Sequence, residues 1–383
     1  MDFAPTEMAT QTRLLARKFV TDELQPIVAA DEKAERFRTE IIAKFGALGL
    51  CGVPVPDTYG GAGLGYREYI GVIEEIAKAS ASYAISVAVT GLVQLVLTRF
   101  GSEEQKKKFL PRLASGQSIG AFGLSEPSAG SDPSSMRTTA TRDGDTYVAN
   151  GTKFWITQAD VAEIILLMAR TGPKSFSAFI IDRGSPGGVV PGLKTGKRER
   201  KMGLHISHTM ELLLENVRIP ASHRIGPEGD GLKCALYALD RGRITVGATA
   251  LGIGEAALGV AINHARLREQ FGQPIGAFQG VSFLLADMRT RLDAARLLVE
   301  RAAWEVDQNL GVTQSAAMAK LFSTDTAMQL TTDAVQVLGG SGTTEEFPVE
   351  RYMREAKVLQ IVEGTNQIQR WVIGRALVEG EKA

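Results

Sequence analysis

Cysteine, histidine and net charge are all scarce in this chain of 383 residues. Its two cysteines, Cys51 and Cys234, lie far apart and form no CxxC pair, so neither a disulfide framework nor a thiolate zinc site is on offer. Its four histidines, His205, His208, His223 and His264, are not grouped with cysteine or carboxylate at metal-ligand spacing. They read as surface or structural residues, and no metal is expected. Lys and Arg total 43, as do Asp and Glu, so the chain lacks the sustained positive face that nucleic acid or an anionic membrane would require. One local exception, Lys194, Lys197, Arg198, Arg200 and Lys201, is interrupted by Glu199. It reads as a solvated loop, with contact to a phosphate-bearing ligand or a partner protein as the alternative.

Long apolar runs are missing too. The most apolar uncharged stretch, Ala84 to Leu97, is short for a bilayer and contains Ser86, Thr90, Gly91 and Gln94, which predicts a buried helix and no membrane insertion. Met1-Asp2-Phe3 leads into a helical pattern with neither an apolar signal core nor an Arg/Ser-rich transit segment, so a cytoplasmic protein or the mature form of an organellar one is expected. There is no GxSxG elbow and no HExxH pair, and Gly192-Leu193-Lys194-Thr195-Gly196-Lys197 has the wrong spacing for a P-loop. Hydrolase and NTPase readings lose support. Gly252-Ile253-Gly254-Glu255-Ala256-Ala257 fits a dinucleotide fingerprint but lies inside Ala-rich helical sequence rather than at a strand-to-helix turn, so a Rossmann reading fails.

What is present is an ordinary folded composition, 44% hydrophobic and 22% charged, in a chain long enough for two or three packed units. Residues 11 to about 115 repeat apolar positions every three or four residues, broken once by Tyr59-Gly60-Gly61-Ala62-Gly63. From about 119 to 228 short β-prone runs take over (Thr146–Ala149, Ile164–Leu167, Ala178–Ile181), with turn chemistry at Arg142-Asp143-Gly144-Asp145 and Asn150-Gly151. After Gly231 the helical period returns. Val281, Leu284, Met288, Leu292, Ala295, Val299, Ala302 and Val306 form one long stripe, a second runs from about Gln314 to Leu338, and with residues 232–266 and the tail they predict a four-helix bundle. The fold class is α+β: an N-terminal helical domain (1–118), a small middle β domain (119–228) and a C-terminal bundle (229–383).

Three segments carry the chemistry. The first is Ala121-Phe122-Gly123-Leu124-Ser125-Glu126-Pro127-Ser128-Ala129-Gly130-Ser131-Asp132, followed by Lys153-Phe154-Trp155-Ile156-Thr157. The second is Arg268-Glu269-Gln270-Phe271-Gly272-Gln273-Pro274-Ile275 with Phe278-Gln279. The third is Gln336-Val337-Leu338-Gly339-Gly340-Ser341-Gly342, then Glu350-Arg351-Tyr352-Met353-Arg354, then Ile361-Val362-Glu363-Gly364-Thr365-Asn366-Gln367-Ile368-Gln369. In these segments, in this order and over nearly its whole length, the chain resembles the acyl-CoA dehydrogenase family. That resemblance implies the same helix, sheet, helix architecture, a homotetramer, and FAD as cofactor.

It also implies roles. Phe122, Leu124, Ser125, Gly130 and Ser131 would line FAD, with Ser131 also toward the pantetheine arm. Trp155 and Thr157 would flank the flavin ring, where an indole supplies stacking area and a hydroxyl can meet a polar edge, and Ile156 between them belongs to the same cofactor set. Arg268, a planar cation suited to a diphosphate, with Phe271, Gln279, Gln336, Gly339 and Gly340, would reach the FAD of a neighbouring subunit. Thr365 and Gln367 complete the cofactor set. Glu363 matches the family's catalytic base, set in an apolar pocket that raises its basicity, and Val362 and Gly364 would border the substrate. Asp240 and Arg243 match positions that contact CoA, although such pairs are often structural. Some relatives carry the base at the place of Gly242, which has no carboxylate.

The implied reaction converts an acyl-CoA thioester to its trans-2-enoyl form. Glu363 removes the α-proton, FAD accepts the β-hydride, and an electron-transfer flavoprotein takes the electrons. Val362 stands where an aromatic is usual, Thr343 where Tyr is frequent and Gln158 where Asn often follows Trp-Ile-Thr, so the acyl group stays open. The alternative is a flavoenzyme of the same fold acting on a carrier-protein thioester.

Overall fold

The structure is a computed structural model and describes residues 5–185 and 187–379. Six helices come first: α1 Glu7–Phe19, α2 Gln25–Ala34, α3 Thr39–Ala47, α4 Tyr66–Ala79, α5 Ala81–Phe100 and α6 Glu103–Ala114. Their ends follow side-chain chemistry. Thr6 caps α1 by accepting from the Ala9 N–H at 3.0 Å, and Ser102 and Gln105 close a reciprocal capping box on α6. The glycine-rich break before α4 is a tight reversal in which Gly60 and Gly63 take φ of 81° and 63°, open only to residues without a Cβ penalty. By length and composition two helices among the described residues could cross a bilayer, α5 and the long helix at Gly231–Leu267. The first runs past both ends of the apolar stretch read from sequence, but both helices are mostly buried inside the fold.

The middle region is one eight-stranded sheet built from β1 Gly120–Gly123, β2 Thr139–Asp143, β3 Thr146–Thr157, β4 Ile164–Gly172, β5 Ser175–Asp182, β6 Leu193–Arg198, β7 Thr209–Pro220 and β8 Arg224–Ile225. Along the sheet the order is β6-β7-β3-β2-β4-β5-β8, with β1 pairing in parallel to β4. The unbroken apolar runs in β4 and β5 have a simple cause: both faces are covered. Ile165, Leu167, Phe179 and Ile181 enter a core shared with α1 to α5, while Ile164, Leu166, Ala178 and Ile180 enter a second core with the end of α5 and with α6.

Two sequence expectations are corrected. Asn150-Gly151 is not a turn: β3 runs straight through it, and the register shift between Ala149 and Gly151 places the extra residue on β7, where Glu215 and Asn216 lie opposite Asn150. The basic run is not a free loop either. Its first half is β6, Arg198 donates to the carbonyls of Glu35 and His205, and Lys201 donates to the Ser207 carbonyl at 2.8 Å.

The C-terminal region holds α7 Gly231–Leu267, a hairpin of β9 Glu269–Gln270 and β10 Gln273–Pro274, then α8 Gln279–Asp307 and α9 Thr313–Leu338. The tail divides into α10 Val349–Leu359 and α11 Asn366–Glu379, both packed on α9. Gly252 lies mid-helix in α7, where a Cβ would come within 2.5 Å of the Glu74 carbonyl oxygen on α4. That glycine serves close helix contact, not a dinucleotide. Beside it, Glu74 is buried between Arg13 (2.7 Å) and Arg296 (2.6 Å), and Arg296 continues to Glu255, tying α1, α4, α7 and α8 together.

Candidate active site

Glu363 sits in the loop between α10 and α11, and its backbone makes the reversal. The N–H groups of Ile361 and Val362 both bond to the Val358 carbonyl, after which Glu363 and Gly364 take φ of 54° and 87° in succession. A left-handed glutamate is disfavoured by roughly 1–2 kcal/mol, so the neighbours must hold it. Gln369 Nε2 donates to the carbonyls of Glu363 (3.3 Å) and Gly364 (2.8 Å), and Lys320 Nζ on α9 donates to Gly364 O at 2.9 Å.

The carboxylate is delivered against α7 and α5. A Cβ on Gly242 would lie 3.2 Å from Glu363 Oε2 and 3.1 Å from Leu92 Cδ2, so these three residues meet at one point. Gly242 and the Glu363 carboxylate therefore face each other directly, with no side chain between them. Glu363 Oε2 is buried and has no hydrogen-bond partner among the described residues. Burial pushes its carboxyl up to about 7, against the opposing charges of Arg243 and Lys320. A carboxylate with that midpoint, aimed into a space bordered by apolar groups, is suited to taking a carbon-bound proton near neutrality.

The first cofactor segment is pinned to β3. Lys153, fully buried, donates to Leu124 O at 3.0 Å and to Glu126 Oε1 at 2.8 Å, while Glu126 accepts from the N–H groups of Arg137 (2.6 Å) and Thr138 (3.0 Å). Phe154 N–H donates to Ser125 O at 2.8 Å. A second register shift, between Lys153 and Ile156, leaves Trp155 at φ 63° with its indole 56% exposed. Thr157 is half-buried beside it. The Ile156 side chain is 1% exposed and belongs to the core, because the bulge turns it away from the face that Trp155 presents. Only its backbone can face a ligand. Leu124 is likewise buried, whereas Phe122 and Ser125 are half-buried and Gly130 and Ser131 are exposed.

The second segment lies at the surface. Phe271 and Gly272 turn the hairpin with φ of 53° and 79°, and Phe271 is 94% exposed. Arg268 and Gln279 are exposed on either side of it, as are Gln336 and, past the end of α9, Gly339 and Gly340. A Cβ at either of those glycines would meet nothing within 4 Å. In the third segment Thr365 Oγ1 accepts from the Ile368 N–H at 3.3 Å at the start of α11, Gln367 is exposed, and Val362 is half-buried. Asp240 has both oxygens engaged, by Arg243 Nη1 (2.7 Å) and Thr313 Oγ1 (2.6 Å), so the structural reading of that pair is in place.

Sequence reasoning gave no role to Lys153, Glu126, Lys320, Asn366 or Gln369. A signal for the lysine existed: Lys320 falls on the apolar stripe of α9 with Ala316, Ser323, Ala327 and Leu330, where an unpaired charge has no reason to be. Gln158 is a further case, fully buried at φ 58°, with Nε2 on Ser86 Oγ of α5 at 2.6 Å and Oε1 unpartnered.

The donor set fits a flavin dinucleotide. It offers a flat exposed indole with a hydroxyl two residues on, glycines with open space, and an exposed arginine. Such a group supplies a two-electron acceptor; the protein supplies stacking, charge and position.

Comparison with known proteins places the whole chain. Residues 6–117 match the N-terminal domain of acyl-CoA dehydrogenases, 121–217 the middle domain and 229–378 the C-terminal domain. An acyl-CoA dehydrogenase of Bacillus subtilis is 45% identical over 97% of this chain and 99% of its own. The butyryl-CoA dehydrogenase of Megasphaera elsdenii superposes with a TM-score of 0.96 at 42% identity, covering 99% of this chain and 100% of that one. A structure described under the electron transferring flavoprotein of Acidaminococcus fermentans has a TM-score of 0.95 at 43% identity over 99% and 100%. The FADH2 complex of a glutaryl-CoA dehydrogenase from Mycobacterium smegmatis reaches 0.92 at 32% identity, over 99% and 96%. Likeness of that extent, in one unbroken domain order, makes this chain a member of the acyl-CoA dehydrogenase family and an FAD-dependent oxidoreductase.

Proposed function

We propose that this protein oxidises a short acyl-CoA thioester to the trans-2-enoyl thioester, with Glu363 as the base, and passes the electrons to an electron-transfer flavoprotein. The observation that carries the reading is the Glu363 carboxylate itself, buried and unpartnered at Oε2, facing Gly242 and Leu92. In the proposed step one oxygen of Glu363 takes the α-proton; FAD, when held by these residues, would supply the acceptor for the β-hydride, so that the substrate loses two electrons and two hydrogens. Among the described residues the Glu363 N–H makes no backbone hydrogen bond. It is therefore free to meet the thioester oxygen, where one such donor is worth roughly 2.7–4 kcal/mol as enolate charge develops. Gly242 puts no side chain against the carboxylate, and Leu92 beside it would help exclude water from the reacting carbons.

Short chains are the first substrates to test because of the likeness to butyryl-CoA dehydrogenase, and the electron-transfer partner because of the Acidaminococcus neighbour. The exposed Arg268, Phe271 and Gln336 support the expectation that a second copy completes each FAD site, within a homotetramer.

The test is anaerobic bleaching of the bound flavin by a panel of acyl-CoAs, run beside Glu363→Gln. Bleaching by short acyl-CoAs in the parent and its loss by at least about 10²-fold in the variant is the expected result. A flavin that no acyl-CoA reduces, but a carrier-protein thioester does, would overturn the CoA assignment. Full activity in Glu363→Gln would overturn the base.

A further inference from the structure

Lys320 is fully buried on α9. A cation in an interior is costly unless hydrogen bonds replace its water. Its ammonium bonds not to a carboxylate but to the active-site loop, at Gly364 O (2.9 Å) and Asn366 Oδ1 (2.7 Å). The same helix grips the loop at two further points: Asp325 Oδ1 accepts from Asn366 Nδ2 at 2.6 Å and from Gln360 Nε2 at 2.7 Å, and Thr324 Oγ1 accepts from Asn366 Nδ2 at 3.0 Å. Both ends of the stretch from Gln360 to Asn366 are thus fastened to α9, with the two left-handed residues between them.

We propose that Lys320 is a positioning residue for the base: its ammonium holds the Glu363–Gly364 backbone in the geometry that aims the carboxylate at Gly242, and its charge stabilises that carboxylate. The inference rests on reading Glu363 as the base. The ionisable groups around Glu363 are Lys320 from α9, Arg243 from α7 and the Tyr66 phenol from α4; those around Lys320 are Glu363, Asp325 and Arg243. Arg243 already pairs with Asp240, and Asp325 is engaged by Arg370 at 2.9 Å. Among the described residues that leaves Lys320 as the cation near Glu363 with no ion-pair partner of its own. Burial pushes Lys320 down to about 7, opposed by the charge of Glu363, while burial pushes Glu363 up to about 7, opposed by Arg243 and Lys320. Removing the lysine therefore removes one brake on the rise of Glu363.

The experiment measures flavin reduction by butyryl-CoA across pH in the flavin-loaded parent, Lys320→Met, Lys320→Gln and Gln369→Leu. It is joined by an infrared titration of the Glu363 carboxyl, assigned by its loss in Glu363→Gln, without substrate. In Lys320→Met the rate should fall on the order of 10²-fold, the loss expected of a base displaced by about 1 Å. KM should stay nearly constant, and both the ascending pH limb and the infrared midpoint should move to higher pH. Lys320→Gln keeps a donor without charge and should regain part of the rate but not the parent pH limb. Gln369→Leu loosens the loop and keeps the charge, so its rate should fall with the limb unmoved. Parent-like midpoints in both lysine variants, or rate losses that only follow flavin release, would overturn the proposal. If Lys320→Met does not fold, Lys320→Gln decides the pH comparison. A parent that no acyl thioester reduces would defeat the reading of Glu363 instead, and the infrared titration would still decide whether Lys320 governs its ionisation.

Discussion

Trp155, Gln158 and Glu363 all occupy left-handed backbone, at φ of 63°, 58° and 54°. For side chains with a Cβ this costs on the order of 1–3 kcal/mol each and persists only where surrounding contacts over-determine it. Here the contacts are a sheet bulge for Trp155, the Ser86 hydroxyl for Gln158, and Lys320 with Gln369 for Glu363. The buried carboxyl adds a second cost with a definite pH dependence. Its folded midpoint, about 7, lies above the ordinary 4.5, so the fold favours the protonated form. The resulting destabilisation is absent below the ordinary value, grows between the two, and is complete above the folded midpoint. Glu363→Gln should therefore melt with the parent at pH 4 and above it at pH 8, by at most about 3 kcal/mol. Thermal unfolding at the two pH values checks this; an equal gain at both would point to packing rather than charge.

At the scale of elements, the joint between β3 and the loop after β1 depends on one buried ion pair. Lys153 is pushed down to about 8 by burial, against Glu126, so its proton is held largely by that partner. Lys153→Met strands Glu126 in the interior and should cost about 3–5 kcal/mol, the range for breaking a buried pair. Because the same loop carries Ser125, Gly130 and Ser131, FAD should also be released more readily. The double variant with Glu126→Gln should recover much of the stability, as partners in one network do not add. Urea unfolding and flavin fluorescence read the two effects separately. β3 also shows why one turn was misread. Asn-Gly favours a hairpin locally; here β7 pairs with β3 on both sides of Gly151 and itself carries the extra residue, so the strand continues.

At the scale of the molecule, the residues assigned to FAD fall into two sets. Phe122, Ser125, Trp155 and Thr157 border the sheet, while Arg268, Phe271, Gln279, Gln336 and Gly339 stand on the outside of the bundle, open to solvent in a single copy. If a neighbouring copy brings the second set to the first, flavin affinity and assembly are linked. Arg268→Met should weaken FAD binding roughly 10–100-fold, the worth of a charge-assisted hydrogen bond of about 1.5–3 kcal/mol. It should leave the melting of flavin-free protein unchanged, since Arg268 is exposed. Dilution of the parent below its assembly range should likewise release flavin, followed by mass photometry beside fluorescence. Retention of FAD by an isolated monomer would contradict the linkage.

Much of this protein was determined by its sequence alone. Apolar period marked the helices and β-prone runs marked the sheet, because burial of one face or of both imprints the chain locally. The segments around Trp155, Arg268 and Glu363 were legible as a family pattern, which the domain matches bear out. The tertiary structure decided what depends on partners distant in the chain. It set Lys320 beneath a loop 44 residues away and Lys153 against Glu126. It turned Ile156 into the core beside an exposed Trp155, and it brought Gly242, Leu92 and Glu363 to one point. Those outcomes follow from which surfaces meet, and a charge becomes costly, paired or poised only when a neighbouring element removes its water.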